Sequence, residues 1–257
     1  MRVRSGSFER GISVADDTPL TYEPLREDWD RALFIAPHPD DIEYGGAAAV
    51  ARWTRQGKSV IYTMVTSGEA GIDAIPPEEA GPLREGEQRA AAEIVGVDVV
   101  EFLGFPDGTI EYGLPLRREL ARAVRRHRPD IVVTGNHRET YGAGFLNQAD
   151  HIAVGRAVLD GVRDAGNRWV FRDLLDDGLE PWGGVREVWM AGSPDSRHAV
   201  DTSDTFEVGM QSLHAHREYI DGLGEGGDPT DFLEEIARQA GIRLGCQYAV
   251  PFEVLSP

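Results

Sequence analysis

Between residues 31 and 166 the chain alternates short apolar runs rich in β-branched residues with longer stretches whose apolar residues recur at helical spacing. "RALFIAP" (31–37), "KSVIYTMVTSG" (58–68), "VDVVEFLG" (97–104) and "PDIVVTGN" (129–136) read as strands. "DIEYGGAAAVARWTRQGK" (41–58), "LREGEQRAAAEIVG" (83–96), "LRRELARAVRRHR" (116–128) and "ADHIAVGRAVLDGVRDAG" (149–166) read as helices. A strand followed by a helix of this length returns to the same end of the sheet, so consecutive strands pair in parallel. The pattern predicts an α/β doubly wound sheet, mostly parallel, with helices on both faces.

The chain beyond residue 167 is less regular. "REVWMAG" (186–192) adds a strand, and "TFEVGMQSLHAHREYI" (205–220) and "PTDFLEEIARQAGIRLG" (229–245) add helices around the glycine- and acid-rich loop "DGLGEGGDP" (221–229). This tail is too thin for a core of its own. The expected organisation is a single domain over 1–257, with an N-terminal extension over 1–30, a core carrying the site over 31–166, and C-terminal strands and helices over 167–257.

Composition removes several classes of function. The charge is −18, from 26 basic and 44 acidic residues, which disfavours a nucleic-acid surface or an anionic membrane as partner. No apolar stretch approaches the roughly 18 to 20 residues needed to span a bilayer, and "MRVRSGSFERGISVADDTPL" lacks the apolar core of a secretory signal, so the expected location is cytoplasmic. Cys246 is the single cysteine, which excludes an intrachain disulfide and a zinc–thiolate cluster. Any metal must be held by histidine and carboxylate.

In an open parallel sheet, ligands bind beyond the carboxyl ends of the strands, where the strand order reverses. The first strand ends at His38 in "FIAPHPDDIEYGG" (34–46), between Pro37 and Pro39, and Asp41 falls where the next helix begins. A histidine and an aspartate three residues apart across so stiff a turn can converge on one ion with donors suited to zinc. His151 in "NQADHIAVG" (147–155) opens the helix after the fourth strand. If the first and fourth strands are neighbours, His151 falls beside His38 and Asp41. Two histidines and one carboxylate then leave a coordination position for water. Each segment also has a plainer reading, because aspartate favours helix starts and either stretch can serve as a cap.

"APHPDDIEYGG", "VTSGEAG", "FPDG" and "DHIAVG", in that order, resemble the PIG-L (LmbE-like) family of zinc-dependent N-deacetylases, well over residues 31 to 157 and more loosely over 199–219. The resemblance implies a Rossmann-like fold and the removal of an N-acyl group, usually acetyl, from an amino sugar or its conjugate. It implies His38, Asp41 and His151 as metal ligands and Asp40 as general base, a role that chemistry supports: a carboxylate beside the ion can take a proton from water and return it to the departing nitrogen. The family commonly carries a histidine three residues before the last ligand, where this chain has Gln148. Glutamine can donate a hydrogen bond to an oxyanion but supplies no proton near neutral pH. His216, in "LHAHREY", is the alternative source of an acid, and His214 is expected at the surface.

Glu69, Arg84 and Asp107 fall at strand ends or the following helix start, and the resemblance supports them, with His216, as substrate-binding positions. Arg84 reads equally as a helix-start residue paired to Glu85 or Glu87. The loops 66–82 and 135–148 border the proposed site, and Tyr141, Phe145, Trp182 and Trp189 are candidates for stacking on a sugar face or for ordinary packing. Zinc is the expected cofactor, with iron(II) suited to the same ligands. The expected partner is a small N-acetylated amino sugar or glycoconjugate, and a homo-oligomer stays open. Two alternatives survive: an amidase acting on a bulkier amide such as a thiol conjugate, and a non-catalytic nucleotide- or metal-binding module. The second requires a glycine-rich phosphate turn after the first strand, where this chain places two acids.

Overall fold

The strands are near-continuous apolar runs because both faces of the sheet are covered. In the computed structural model, which describes residues 21–142, 144–224 and 228–257, β1 is Glu23–Pro24, β2 Arg31–Ala36, β3 Ser59–Met64, β4 Val99–Phe102, β5 Ile131–Gly135, β6 Glu187–Ala191, β7 His198–Asp201 and β8 Ala249–Leu255. The helices are α1 Asp41–Gly45, α2 Ala47–Arg55, α3 Pro77–Ile94, α4 Leu114–His127, α5 Ala149–Gly166, α6 Asp173–Asp176, α7 Phe206–Leu213, α8 Arg217–Gly222 and α9 Thr230–Leu244. The expected N-terminal extension lies outside the described residues up to position 20, as do 225–227 of the glycine-rich loop.

The strands form one sheet in the order β1-β7-β8-β6-β5-β2-β3-β4. β2 pairs in parallel with both β3 and β5, so Leu33 lies opposite Ile61 on one side and Val132 on the other. The chain winds outward through β3 and β4, then returns to the far side of β2. The order therefore reverses between β2 and β5, and their carboxyl ends border the crevice where the loops 37–40 and 136–148 meet.

The two-residue period of β2 divides its side chains between two cores. Ala32, Phe34 and Ala36 face a core with Ile42, Val50 and Trp53 of α1 and α2. Leu33 and Ile35 face the opposite one, with Leu116, Leu120 and Val124 of α4 and Val154 and Val158 of α5. Trp189 is fully buried in the first core, its ring 5.6 Å from Trp53 and 6.0 Å from Phe252, so it cannot stack on a sugar. Trp182 is also spent on packing: its indole N–H donates to the Pro129 carbonyl and Arg128 lies over its ring.

Several elements depart from the sequence reading. The helix expected over 41–58 breaks at Gly46, where an added Cβ would lie 3.0 Å from the Phe34 ring. α3 begins at Pro77 rather than 83. Pro77 needs no N–H there, Glu78 and Glu79 suit the positive end of the helix, and Pro82 is carried inside. The helix expected over 205–220 is two, α7 and α8, joined through 214–216. β7 and β8 had no counterpart in the reading. β8 runs antiparallel to both β6 and β7, and its Pro251 falls in the half paired to β7 alone.

Candidate metal centre and acid–base site

His38 follows β2, and its two ring nitrogens face different partners. Nδ1 lies 3.2 Å from Asp41 Oδ2, while Nε2 lies 3.0 Å from Asp107 Oδ1 and 3.2 Å from Asp150 Oδ2. Asp41 turns back across the tight loop, and the His38 backbone N–H donates to its Oδ2 at 2.8 Å. Its other oxygen lies 3.1 Å from Nε2 of His151, which the first turn of α5 brings in from beyond β5. The two imidazoles stand 5.3 Å apart, and His38, Asp41 and His151 present donor atoms within 4.8 Å of one another.

His38, Asp107 and Asp150 satisfy the same distance condition. Their remaining bonds distinguish them. Asp150 accepts backbone N–H groups from Gly108 at 2.8 Å and Ile110 at 3.1 Å, and Asp107 accepts one from Ala70 at 2.8 Å. These carboxylates have the form of groups that orient a ligand histidine through its second nitrogen. In the first group, His151 Nε2 is buried and has no hydrogen-bond partner among the described residues, although Asp41 is 3.1 Å away. That leaves a nitrogen available to an ion, while Nδ1 of the same ring sits 2.8 Å from the Tyr141 hydroxyl.

Charge follows this geometry. Burial opposes a charged His38, but its bonds to Asp107, Asp150 and Asp41 push its pKa up to about 12. Burial also opposes ionisation of Asp41, yet His151 and His38 hold it far below the usual carboxylate range. Asp107 and Asp150 are likewise lowered against the effect of burial, chiefly by hydrogen bonds to His38. A proton and a cation therefore compete for the same cluster.

Asp40 lies between His38 and Asp41, at the N-cap of α1. Its backbone is left-handed, with φ 88° and ψ −27°, a conformation that costs a side-chain-bearing residue about 1–2 kcal/mol. Its N–H donates to Gln88 Oε1 at 2.9 Å, its carbonyl accepts from Glu43 at 2.8 Å and Tyr44 at 3.1 Å, and its Oδ1 lies 3.2 Å from the Arg84 guanidinium. Burial raises its pKa to about 7, aided by the charge of Asp41 and offset in part by Arg84 and His216.

The expected sugar contacts require correction. Arg84 is 2% exposed and donates to the carbonyls of Gly68 at 2.9 Å and Pro39 at 2.6 Å, so it braces the turn from below. A Cβ at Gly68, whose φ is +64°, would fall 2.3 Å from the same guanidinium. Nor does Arg84 pair with Glu85 or Glu87. His216 is fully buried, 3.4 Å from Glu43 Oε2, and cannot reach a sugar or its leaving group. Asp107 has both oxygens engaged, on His38 and Ala70. Glu69 stands behind it, accepting the Asp107 N–H at 2.9 Å with one carboxylate oxygen and burying the other unpaired.

Gln148 is exposed at the N-cap of α5, and His214 is exposed near Asp228 and Thr230. Tyr141 touches His151 rather than serving only as a surface ring, and Phe145 is 72% exposed on the same loop. Sequence reasoning missed Asp150, Gln88 and Glu43. Asp150 adjoins His151 in the quoted "ADH" and reads as a cap until its oxygens are located. Gln88 lies one turn after Arg84 on the buried stripe Ala80, Arg84, Gln88, Ala91 of α3. Two polar residues on an otherwise small apolar stripe are a signal that periodicity could have supplied.

The family described as "PIG-L: GlcNAc-PI de-N-acetylase" matches residues 33–162. The diacetylchitobiose deacetylase of Thermococcus kodakarensis is 29% identical over 230 residues, 88% of this chain and 83% of its own. The 1D-myo-inositol 2-acetamido-2-deoxy-alpha-D-glucopyranoside deacetylase of Geodermatophilus obscurus is 30% identical over 220 residues, 75% of this chain and 71% of its own. Among solved structures, the N,N'-diacetylchitobiose deacetylase from Pyrococcus horikoshii superposes with a TM-score of 0.81 at 24% identity, covering 90% of this chain and 85% of that one. That likeness establishes the α/β architecture.

Proposed function

The chain belongs to the PIG-L family of GlcNAc-PI de-N-acetylases, and from that membership we propose that it hydrolyses the N-acetyl group of a small N-acetylglucosamine-containing sugar or conjugate, with a divalent metal held by His38, Asp41 and His151. The observation that carries the reading is the convergence of His38 Nδ1 and buried His151 Nε2 on the two oxygens of Asp41, at 3.2 and 3.1 Å. Two imidazoles and a carboxylate suit zinc, and iron(II) accepts the same set. When bound, the metal supplies an acidified water and polarises the acyl oxygen.

The protein's own groups supply the rest. Asp107 and Asp150 accept from Nε2–H of His38 and fix the tautomer that leaves Nδ1 free to ligate. The Tyr141 oxygen does the same for His151 by accepting from its Nδ1–H. Asp40 takes a proton from the attacking water and returns it to the leaving nitrogen. Gln148 offers amide N–H groups to the oxyanion from the start of α5. One sheet spans the early and late parts of the described chain, which supports reading it as a single catalytic domain. A chain with one cysteine and a charge of −18 fits a reducing cytoplasm and a small uncharged sugar rather than a nucleic acid.

The test is acetate release from N,N'-diacetylchitobiose and from N-acetylglucosaminyl-inositol by metal-stripped protein with and without added zinc. We expect zinc-dependent release, with Asp40→Ala slower by about 10² to 10⁴-fold yet still binding the metal. Equal release by stripped and zinc-loaded wild type would sink the proposal.

A further inference from the structure

Asp40, the proposed general base, is one of three described non-glycine residues with a positive φ, and three helices meet behind it. Gln88 of α3 accepts the Asp40 N–H at Oε1, 2.9 Å away. A backbone N–H can only donate, so the amide oxygen of Gln88 must be the end that faces it. The amide nitrogen then points the other way, where Glu43 of α1 receives it at 3.2 and 3.3 Å. On the side of α7 and α8, Ser212 Oγ lies 3.2 Å from Glu43 Oε1, sharing its one proton with the Ala91 carbonyl at 2.9 Å, and His216 Nε2 lies 3.4 Å from Oε2. Gln88 and Ser212 are fully buried and Glu43 is 3% exposed, so water does not compete for these bonds.

The primary amide of Gln88 offers an acceptor to Asp40 and donors to a carboxylate at once. We infer that Gln88, oriented by Glu43, is a positioning residue that clamps Asp40 in its left-handed conformation and so aims the proposed general base. The inference rests on the deacetylase reading for its kinetic consequence, but the clamp itself is a statement about one backbone N–H. Among the described residues no hydrogen bond joins the Gln88 side chain to His38, Asp41 or His151, so the clamp is expected to act on proton transfer rather than on metal affinity.

The test compares wild type with Gln88→Met, which keeps the length and burial but neither hydrogen bond, and with Glu43→Gln, whose amide oxygen can still receive one N–H of Gln88. Hydrogen exchange of the Asp40 amide is read by NMR, zinc affinity by calorimetry, and kcat and KM with N,N'-diacetylchitobiose. In Gln88→Met we expect Asp40 amide exchange to accelerate at least tenfold while the amides of β2 and β5 keep their protection. We expect kcat to fall by about 10 to 100-fold with KM and zinc affinity within about threefold, the pattern of an interaction that matters in the transition state. Glu43→Gln is expected to lose less, about two- to fivefold in kcat, and it carries the test if Gln88→Met does not fold. Unchanged Asp40 exchange, or a loss confined to KM or zinc affinity, would overturn the clamp. A wild type that releases no acetate would instead remove the deacetylase reading, with amide exchange left to decide the clamp.

Discussion

Tyr141 shows how a single hydroxyl can bear on a proposed metal ligand. Its oxygen lies 2.8 Å from His151 Nδ1, and if it accepts the proton of that nitrogen, Nε2 is left as the free donor. Tyr141→Phe removes that partner without changing ring size, and zinc affinity measured by calorimetry is expected to fall by about 10 to 100-fold, the usual effect of losing the outer partner of a ligand histidine. An unchanged affinity would show that the ring is held by packing alone. The two proposed ligand histidines meet different partners at their other nitrogens, a buried acid pair for His38 and a tyrosine from a loop for His151. Only the ligands themselves stood out in the sequence. "PHPDD" is a local arrangement with local consequences, whereas the acid pair and the tyrosine are brought in by β4, α5 and the 136–148 loop.

At the scale of elements, that loop is anchored to β8. Arg138 donates to Glu253 of β8 at 2.6 and 2.8 Å, and Ser193 Oγ adds a bond to the same carboxylate at 2.6 Å. Burial alone would raise the pKa of Glu253, but Arg138 and Ser193 hold it below the ordinary glutamate value. A group depressed in this way contributes stability above its unfolded pKa, near 4.3, and loses it as pH falls through the lower folded value. Glu253→Gln should therefore cost about 1–3 kcal/mol at neutral pH, with a shallower loss of stability between roughly pH 5 and 3 than wild type, as read by urea unfolding at each pH. The four early strands and the helices after them could be read from the sequence because each carries its own period and its own stop. β8 could not, because a proline three residues into the run interrupts its local signature, and its place between β6 and β7 is a property of the finished sheet. α7 and α8 merged in the reading for a related reason: the break at 214–216 carries neither glycine nor proline to mark it.

Across the whole molecule, the site gathers Asp41, Asp107 and Asp150 around one imidazole. A bound cation relieves the mutual repulsion of those acids, so zinc at about 100 times its Kd should add about 2.7 kcal/mol and raise Tm by roughly 5 to 10 °C. The shift should shrink as pH falls, because His38 must surrender a proton for each ion taken up; thermal scans at several pH values with and without zinc would check both points. Among the described residues no helix is long and apolar enough to cross a membrane. The order of the sheet carries a consequence in time. β1 pairs with β7 and β7 with β8, and β8, which follows every other described strand in the chain, is lodged between two earlier ones. On a ribosome the segments from β2 to α5 could dock as soon as they emerge, while β1, already made, waits for a partner that begins only at His198. His38, Asp41 and His151 of the proposed metal centre thus belong to the part that can assemble early, and β8, which secures the 136–148 loop, arrives after it.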